Sequence, residues 1–514
     1  MTSLIRVKYF FLFLIFTLNV VDAQDGLVAF DEHSITLSRI IFDKSLHVTS
    51  YNVNSKGNGI SINLLDENHL IIEGLLPGEV YGITDLNGEE HYFATRSRSS
   101  GEMKVYFNND VDTSFSDGSQ PVSTSIGILE RDLIKLIDNA ETSIDFCAYN
   151  TSRTSIVGAL IDAYARGVQV RVITDDETRN SGWEGNIPFP VVRGNKGDDL
   201  MHNKFFVIDA DKQENSWVLT GAMNFTTNQM ETDPNHMIWI QDKSLAQTYT
   251  IEFEEMWGSN GAEPNPSTAR FGNDKNDNTP HIFDIGGRRV ESYFSPSDNT
   301  AFHIGEAVKS TDEEINVGLL IFTYFDLKDE LVKLHQSDTK VRVIVENIGS
   351  SSSVISDLRA VGIPVSNHPP SQLFHHKYAI IDEGSNSDPI VVTGSHNWTF
   401  SADNYNDENT LIIHDQSIAN IFKQEFQRWW GELSTSTADV SSAEVKISPN
   451  PSNSRILVEC NEIIDQMSIV SLDGRILYSD RLKVSAWEVD VKNYNNGLYL
   501  LLINGKVAGR FIKQ

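Results

Sequence analysis

The chain has 514 residues, more than one hydrophobic core organises, so several domains are expected. Its hydrophobic content of 40% is that of a folded globular protein. A formal net charge of −30 argues against a protein that scans nucleic acid by bulk electrostatics, while leaving room for a locally basic groove. With only Cys147 and Cys460, in different predicted domains, a disulfide framework is excluded and both are expected as buried thiols.

Arg6 and Lys8 precede the apolar run YFFLFLIFTLNVV, which ends in VDA before Gln24. A positive start, a short apolar stretch and small residues before the cut predict a secretory signal peptide over residues 1–23, too short to span a bilayer comfortably. No later run is long and apolar enough to span one, so an exported protein, secreted or at the cell surface, is expected. Residues 26–98 alternate apolar and polar in short runs such as SITLSRIIF, GISINLL and EHYFATR, the pattern of a small all-β sandwich.

Residues 103–258 and 286–433 repeat one another. ILERDLIKLIDNAETSIDFCAY and TAFHIGEAVKSTDEEINVGLLIF each read as an amphipathic helix followed by a strand. SIVGALIDAYARGVQVRVITDD and DLKDELVKLHQSDTKVRVIVEN do so again. Each half closes on a strand and an aromatic-rich helix, YTIEFEEMWG or IFKQEFQRWWG. This duplication predicts α/β/α halves forming one pseudo-twofold domain, complete in a monomer. Polar residues 259–285 and 434–442 are the expected linkers. Residues 443–514 return to alternating strands around a DGR turn, a second all-β sandwich.

Each half carries LMHNKFFVID or LFHHKYAIID, a His-x-Lys-x-x-x-x-Asp pattern: His202, Lys204 and Asp209, then His375, Lys377 and Asp382. Positions i and i+2 of a strand share a face, so each His points with its Lys, and pseudo-twofold packing brings both pairs to one cleft. Asn224 and Asn397 follow Gly turns at the same distance from each His. Two lysines and two amides cage a tetrahedral anion, with charge suited to a phosphate. Two imidazoles supply a nucleophile and an acid, so the chemistry runs through a phosphohistidine. Lysine is not a usual metal ligand and no third His or Cys accompanies either copy, so no metal or cofactor is expected. Asp209 and Asp382 face away from the lysines.

These motifs resemble the phospholipase D superfamily, whose signature is His-x-Lys-x4-Asp followed by Gly-Ser-x-x-Asn, present twice. The second copy is especially similar to the cardiolipin hydrolase and small-nuclease branch. The resemblance implies that His202, Lys204, Asn224, His375, Lys377, Ser395, Asn397 and Glu408 carry the chemistry and that Asp209 and Asp382 are structural. The first copy departs twice: Ala222 stands where the second has Ser395, and Asn235 where it has Glu408. A carboxylate at that last position commonly orients the His in the family. His202, by resemblance the nucleophile, is then expected to lack a charged orienter unless Glu231 or Asp233 substitutes, and His375 with Glu408 is the alternative assignment. GLLPGEVYGI (Gly74–Ile83) resembles the strand-turn-strand of fibronectin type III domains, with a corner Tyr. PNP, LDGRIL and NNGLYLLLI before a basic end resemble the C-terminal sorting domain of type IX secretion cargo, which implies the outer-membrane secretion machinery as a partner. The expectation is a secreted phosphodiesterase acting on phospholipid, whose zwitterionic head group meets no charge penalty. A secreted metal-independent endonuclease is the rival enzyme. An inert surface-binding protein is the non-enzyme rival, and loss of a His or Lys from a pair would mark it; none is lost.

Overall fold

The computed structural model describes residues 27–514 apart from 40, 43–46, 51–58, 195–198, 347–350, 369–371, 439–444, 472–475 and 504–505. The leader expected at 1–23 lies outside the described residues. The chain divides into two compact units, Met1–Trp430 and Gly431–Gln514.

Among the described residues the first unit opens with seven strands: β1 (Leu27–Phe30), β2 (Ser34–Ser38), β3 (Val48–Ser50), β4 (Ser61–Leu64), β5 (His69–Glu73), β6 (Val80–Thr84) and β7 (Glu90–Ala94). They form a four-stranded sheet, β1-β2-β5-β4, and a three-stranded sheet, β3-β6-β7. This is the division of an immunoglobulin-like sandwich. Ile35, Leu37, Leu70, Ile72, Tyr81 and Ile83 alternate inward and fill the core. Tyr81 is the corner residue: its ring is buried and its hydroxyl accepts the amide of Leu76 at 2.8 Å.

The first α/β half follows: β8 (Met103–Phe107), α1 (Ile128–Asp138), β9 (Ser143–Ala148), α2 (Thr154–Ala165), β10 (Gln169–Asp175), β11 (Val191–Gly194), β12 (Lys204–Ile208), β13 (Trp217–Gly221), α3 (Thr227–Glu231), β14 (His236–Gln241) and α4 (Lys243–Trp257). Helix α1 forms because Leu129, Leu133 and Ile137 recur at helical spacing and share a buried face. Helix α4 begins where the Asp242 carboxylate accepts the amide of Leu245 at 2.9 Å. It ends at Gly258, whose φ of +78° only glycine adopts freely. The sheet runs β11-β10-β9-β12-β13-β14-β8.

The second half has β15 (Ile282–Ile285), β16 (Arg288–Ser295), α5 (Thr300–Lys309), β17 (Glu314–Leu319), α6 (Phe325–Gln336), β18 (Lys340–Val345), α7 (Ser352–Ala360), β19 (Val365–Asn367), β20 (Lys377–Ile381), β21 (Ile390–Gly394), α8 (Phe400–Asn404), β22 (Glu408–His414) and α9 (Gln416–Ala438). Its sheet, β15-β16-β22-β21-β20-β17-β18-β19, reproduces the first with one added edge strand. The halves lock crosswise. Tyr249 of α4 meets Phe294 of β16 edge-on at 4.9 Å, and Phe422 of α9 meets Phe107 of β8 edge-on at 5.5 Å.

The segment 259–285 is more than a polar linker. It contributes β15, and Lys275 within it is buried between the halves. Likewise α9 runs through Ala438, into the stretch 434–442 expected as a linker; residues 439–442 lie outside the described part. The N-terminal sandwich belongs to the first unit. Glu79 pairs with Lys243, and the Val80 amide donates to Gln247 at 3.2 Å, which pins the sandwich to the start of α4.

The second unit holds β23 (Val445–Ser448), β24 (Arg455–Ser471), β25 (Ile476–Asp490), β26 (Gly497–Ile503) and β27 (Lys506–Lys513). The order is β23-β24-β26-β27, with β25 along β24. Irregularities between Glu459 and Gln466 break the register of the long β24–β25 pair. Cys460 is buried in this core and Cys147 in the first unit; both are free thiols.

Candidate active site

The two His-x-Lys segments lie where β12 and β20 begin, and each imidazole is held from the opposite half. The amide of His202 donates to the carbonyl of Asp407 at 2.9 Å, and that of His375 donates to the carbonyl of Pro234 at 2.9 Å. Glu408 and Asn235, the next residues, therefore project at the imidazole of the other half. Both carboxylate oxygens of Glu408 lie 2.8 Å from Nδ1 of His202. The amide nitrogen of Asn235 lies 3.4 Å from Nδ1 of His375. This corrects the expected pairing: Glu408 orients His202 and not the His375 of its own half. The stand-ins considered for His202 serve elsewhere. Glu231 pairs with Arg153, and Asp233 accepts the Leu373 amide at 3.2 Å.

These partners assign the tautomers. The Glu408 carboxylate only accepts, so Nδ1 of His202 carries the proton and Nε2 keeps a lone pair. The Asn235 amide is fixed by two further bonds: its oxygen accepts the His236 amide at 3.0 Å, and its nitrogen donates to Gln229 at 2.6 Å. It therefore presents a donor to His375. Nζ of Lys377 also lies 3.3 Å from that Nδ1. Two donors facing Nδ1 make it an acceptor, so His375 carries its proton on Nε2.

Lys204 and Lys377 donate to the carbonyls of His202 and His375. Tyr149 packs edge-on to His202 at 4.7 Å, and its ring lies 5.1 Å from the Lys204 ammonium. Burial, then the positive charge of Lys204 and Lys377, holds both imidazoles well below their ordinary pKa. Burial also pulls Lys204 down to about 7, against the attraction of Glu408, and pushes Glu408 up to about 6. Lys377 is drawn well down by burial and by Lys204. A bound anion opposes the downward shifts of the lysines and imidazoles, because it favours their charged forms. The side-chain oxygens of Asn224 and Asn397 and both ring nitrogens of His396 are buried with no hydrogen-bond partner.

Gly221 and Gly394 place those asparagines. A Cβ on Gly221 would meet the carbonyl of His236 at 2.6 Å, and one on Gly394 that of Asn409 at 2.2 Å. Ser395 accepts the Asn409 amide at 3.0 Å and so braces the strand that bears Glu408. Asp209 and Asp382 lie outside the reacting groups, at φ +50° and +51°. Asp209 accepts the amides of residues 141–143, and Asp382 those of residues 312–314. Each ties the end of its His-x-Lys strand to the start of β9 or β17. Phe225 and Trp398 are core side chains.

Three features were missed in the sequence. Beneath the site, His376 lies against His236 with Nδ1 atoms 2.9 Å apart, and His236 reaches Thr393 at 2.6 Å. In the mirror position Asn203 accepts from Asn409 at 2.8 Å, and Asn409 accepts from Thr220 at 2.6 Å. The adjacent His375–His376 was the only signal. The second feature is Tyr149. The third is Lys275, whose ammonium reaches Glu252, the Ser295 carbonyl at 2.8 Å and Asp407 at 3.3 Å. Against burial, Glu252 and Asp407 hold it above the ordinary lysine value. Candidate metal donors converge elsewhere, at Asp85–Glu89–His91 and Asp277–His281–Asp298. In the second group Asp277 and Asp298 hold His281 up at about 10 despite burial, which favours a proton over a cation.

Fold and site together define a duplicated α/β protein whose two His–Lys pairs lie close enough to shift one another's protonation. Residues 133–257 and 304–430 match the family described as "Cardiolipin synthase, PLD-like domain". Both halves thus match a phospholipase D-like domain, the resemblance expected from the paired motifs. Residues 446–514 match a secretion system C-terminal sorting domain. A mitochondrial cardiolipin hydrolase of Xenopus tropicalis is 37% identical over 125 residues, 24% of this chain and 57% of the relative. A phospholipase D of Rickettsia prowazekii (strain Madrid E) is 32% identical over 121 residues, 23% of this chain and 57% of the relative. The chain thus spans little more than half the length of these relatives. Among solved structures, a phosphatidylserine synthase of Haemophilus influenzae Rd KW20 aligns over 65% of this chain and 94% of its own, at 14% identity and a TM-score of 0.44.

Proposed function

We propose that the protein is an exported phosphodiesterase that cleaves phospholipid head groups through a phosphohistidine on His202. The observation that carries this is the unequal wiring of the two imidazoles, Glu408 on His202 and Asn235 on His375. Nε2 of His202 attacks phosphorus while Glu408 balances the positive charge growing on the ring. The P–O bond breaks, and the leaving oxygen takes the proton on Nε2 of His375. Nδ1 of His375 takes a proton from the Lys377 ammonium in the same step, so no imidazolate builds up. In the second step water attacks the phosphohistidine, Nε2 of His375 removes its proton, and Nδ1 returns the other to Lys377. Lys204, Lys377, Asn224 and Asn397 hold the phosphoryl oxygens, which supplies the charge neutralisation from the chain itself. The sorting domain match supports export through the type IX machinery.

The trapping experiment follows from these roles. His375→Asn, lacking the base for hydrolysis, is expected to accumulate an acid-labile, alkali-stable adduct on His202 when given bis(p-nitrophenyl) phosphate, whose leaving group needs no proton from His375. His202→Asn is expected to accumulate none by intact mass after alkaline quench. An adduct on His375 in the second variant would reverse the roles. Wild-type assays with excess chelator on phosphatidylcholine, cardiolipin and plasmid DNA compare the substrate classes; nicked DNA without lipid hydrolysis would replace phospholipid by nucleic acid.

A further inference from the structure

The rims of the two halves differ. In the first, Arg153 stands beside the turn bearing Asn224, its amide donating to the Phe225 carbonyl at 3.2 Å, and its guanidinium pairs with Glu130 and Glu231. At the matching place in the second half stands Tyr324. Its amide donates to the carbonyl of Trp398 at 3.0 Å, next to Asn397. The Tyr324 ring stacks on Phe400 at 6.4 Å, and Phe400 meets Tyr405 edge-on at 5.8 Å. Phe325, Phe400 and Tyr405 are 51%, 56% and 42% exposed, unusual for neighbouring aromatics. Asp403 braces the group from behind, accepting the Tyr324 hydroxyl at 3.0 Å and the Ala301 amide at 2.8 Å. Tyr405 precedes Asn406, whose side chain accepts the Leu200 amide at 3.1 Å, two residues before His202. The patch therefore adjoins both halves of the catalytic centre.

We propose that Phe325, Phe400 and Tyr405 seat this site on a surface of zwitterionic phospholipid. The proposal rests on the phospholipid reading above and adds how the substrate is reached. Charge selects this occupant. A polyanion needs free cations beside the rings, yet Lys328, 5.3 Å over Phe325, is committed to Asp329 and Asp357. With a net charge of −30, an anionic bilayer would also repel the protein. A zwitterionic interface carries neither penalty, and Tyr and Phe rings partition into it. Among the described residues no helix is long and apolar enough to cross a membrane.

The test compares the full chain with Phe325→Ser/Phe400→Ser/Tyr405→Ser, exposed positions that spare the core. Co-sedimentation with phosphatidylcholine vesicles is expected to weaken at least tenfold, unchanged by high salt, with turnover of vesicle lipid falling in parallel. Turnover of soluble bis(p-nitrophenyl) phosphate is expected to stay within twofold. Equal vesicle binding by both proteins would overturn the proposal. So would wild-type binding that requires anionic lipid, or a loss confined to single-stranded DNA. If the wild type hydrolyses neither diester, the catalytic reading fails, while sedimentation still decides the docking surface.

Discussion

Glu408 and Asn235 occupy corresponding positions in the two halves, and they give two otherwise equivalent histidines different partners. Glu408→Gln is expected to lower kcat about 100-fold with KM little changed, because the carboxylate acts on the imidazole and not on the phosphate. A raised KM with intact kcat would sink this role. Lys377→Met removes the proton donor behind His375. It should slow alkyl diesters far more than p-nitrophenyl diesters, whose leaving group needs no proton; an equal loss on both would leave Lys377 as a phosphate ligand alone. The pH dependence follows from Lys204 and Glu408. The folded Lys204 titrates near 7, below free lysine, so it loses its proton as pH rises through that value. Inorganic phosphate affinity should therefore fall as pH rises above about 7, with proton uptake on binding measurable by calorimetry in buffers of different ionisation enthalpy. Below about 6 Glu408 takes up a proton, and kcat should fall on that side.

At the scale of elements, the strap through Lys275 and the start of β22 act as one piece. Asp407 accepts the Gly272 amide at 2.8 Å, pairs with Lys275, and offers its carbonyl to His202. Glu252, pushed up to about 8 by burial, completes the cluster. Lys275→Met leaves buried carboxylates without their cation, and breaking such a pair costs about 3–5 kcal/mol. Urea unfolding should show this loss, and Lys275→Met/Glu252→Gln should recover part of it. If the single variant unfolds like the wild type, the strap is only a connection. The turns at Asp209 and Asp382 hold the other end of the same strands, which is why acidic residues occupy left-handed positions there.

At the scale of the molecule, each compact unit has its own buried core, one built on the α/β halves and the sandwich, the other on β23–β27. Calorimetry should resolve two unfolding transitions, and a chain ending after Ala438 should keep the first and its diesterase activity. One cooperative transition, or activity lost with the C-terminal unit, would contradict this division. Because the duplication brings both His–Lys pairs into one chain, specific activity should not change on dilution.

The sequence by itself determined what depends on local spacing. Period-2 strands, helical apolar faces and the repeated His-x-Lys-x-x-x-x-Asp pattern gave the α/β/α halves, the flanking β-regions and the two His–Lys pairs, because those features depend on neighbours a few positions apart. The sequence could not say which carboxylate serves which imidazole. His202 and Glu408 lie 206 residues apart, and only the crosswise packing of β14 and β22 brings each half's partner to the other half's His. Reading the halves as independent copies paired Glu408 with His375, and made a linker of a strap whose Lys275 is buried. Such partners are chosen by the interface between the halves. There a buried charge is tolerated only where an opposite charge meets it, and that meeting is decided by the tertiary structure.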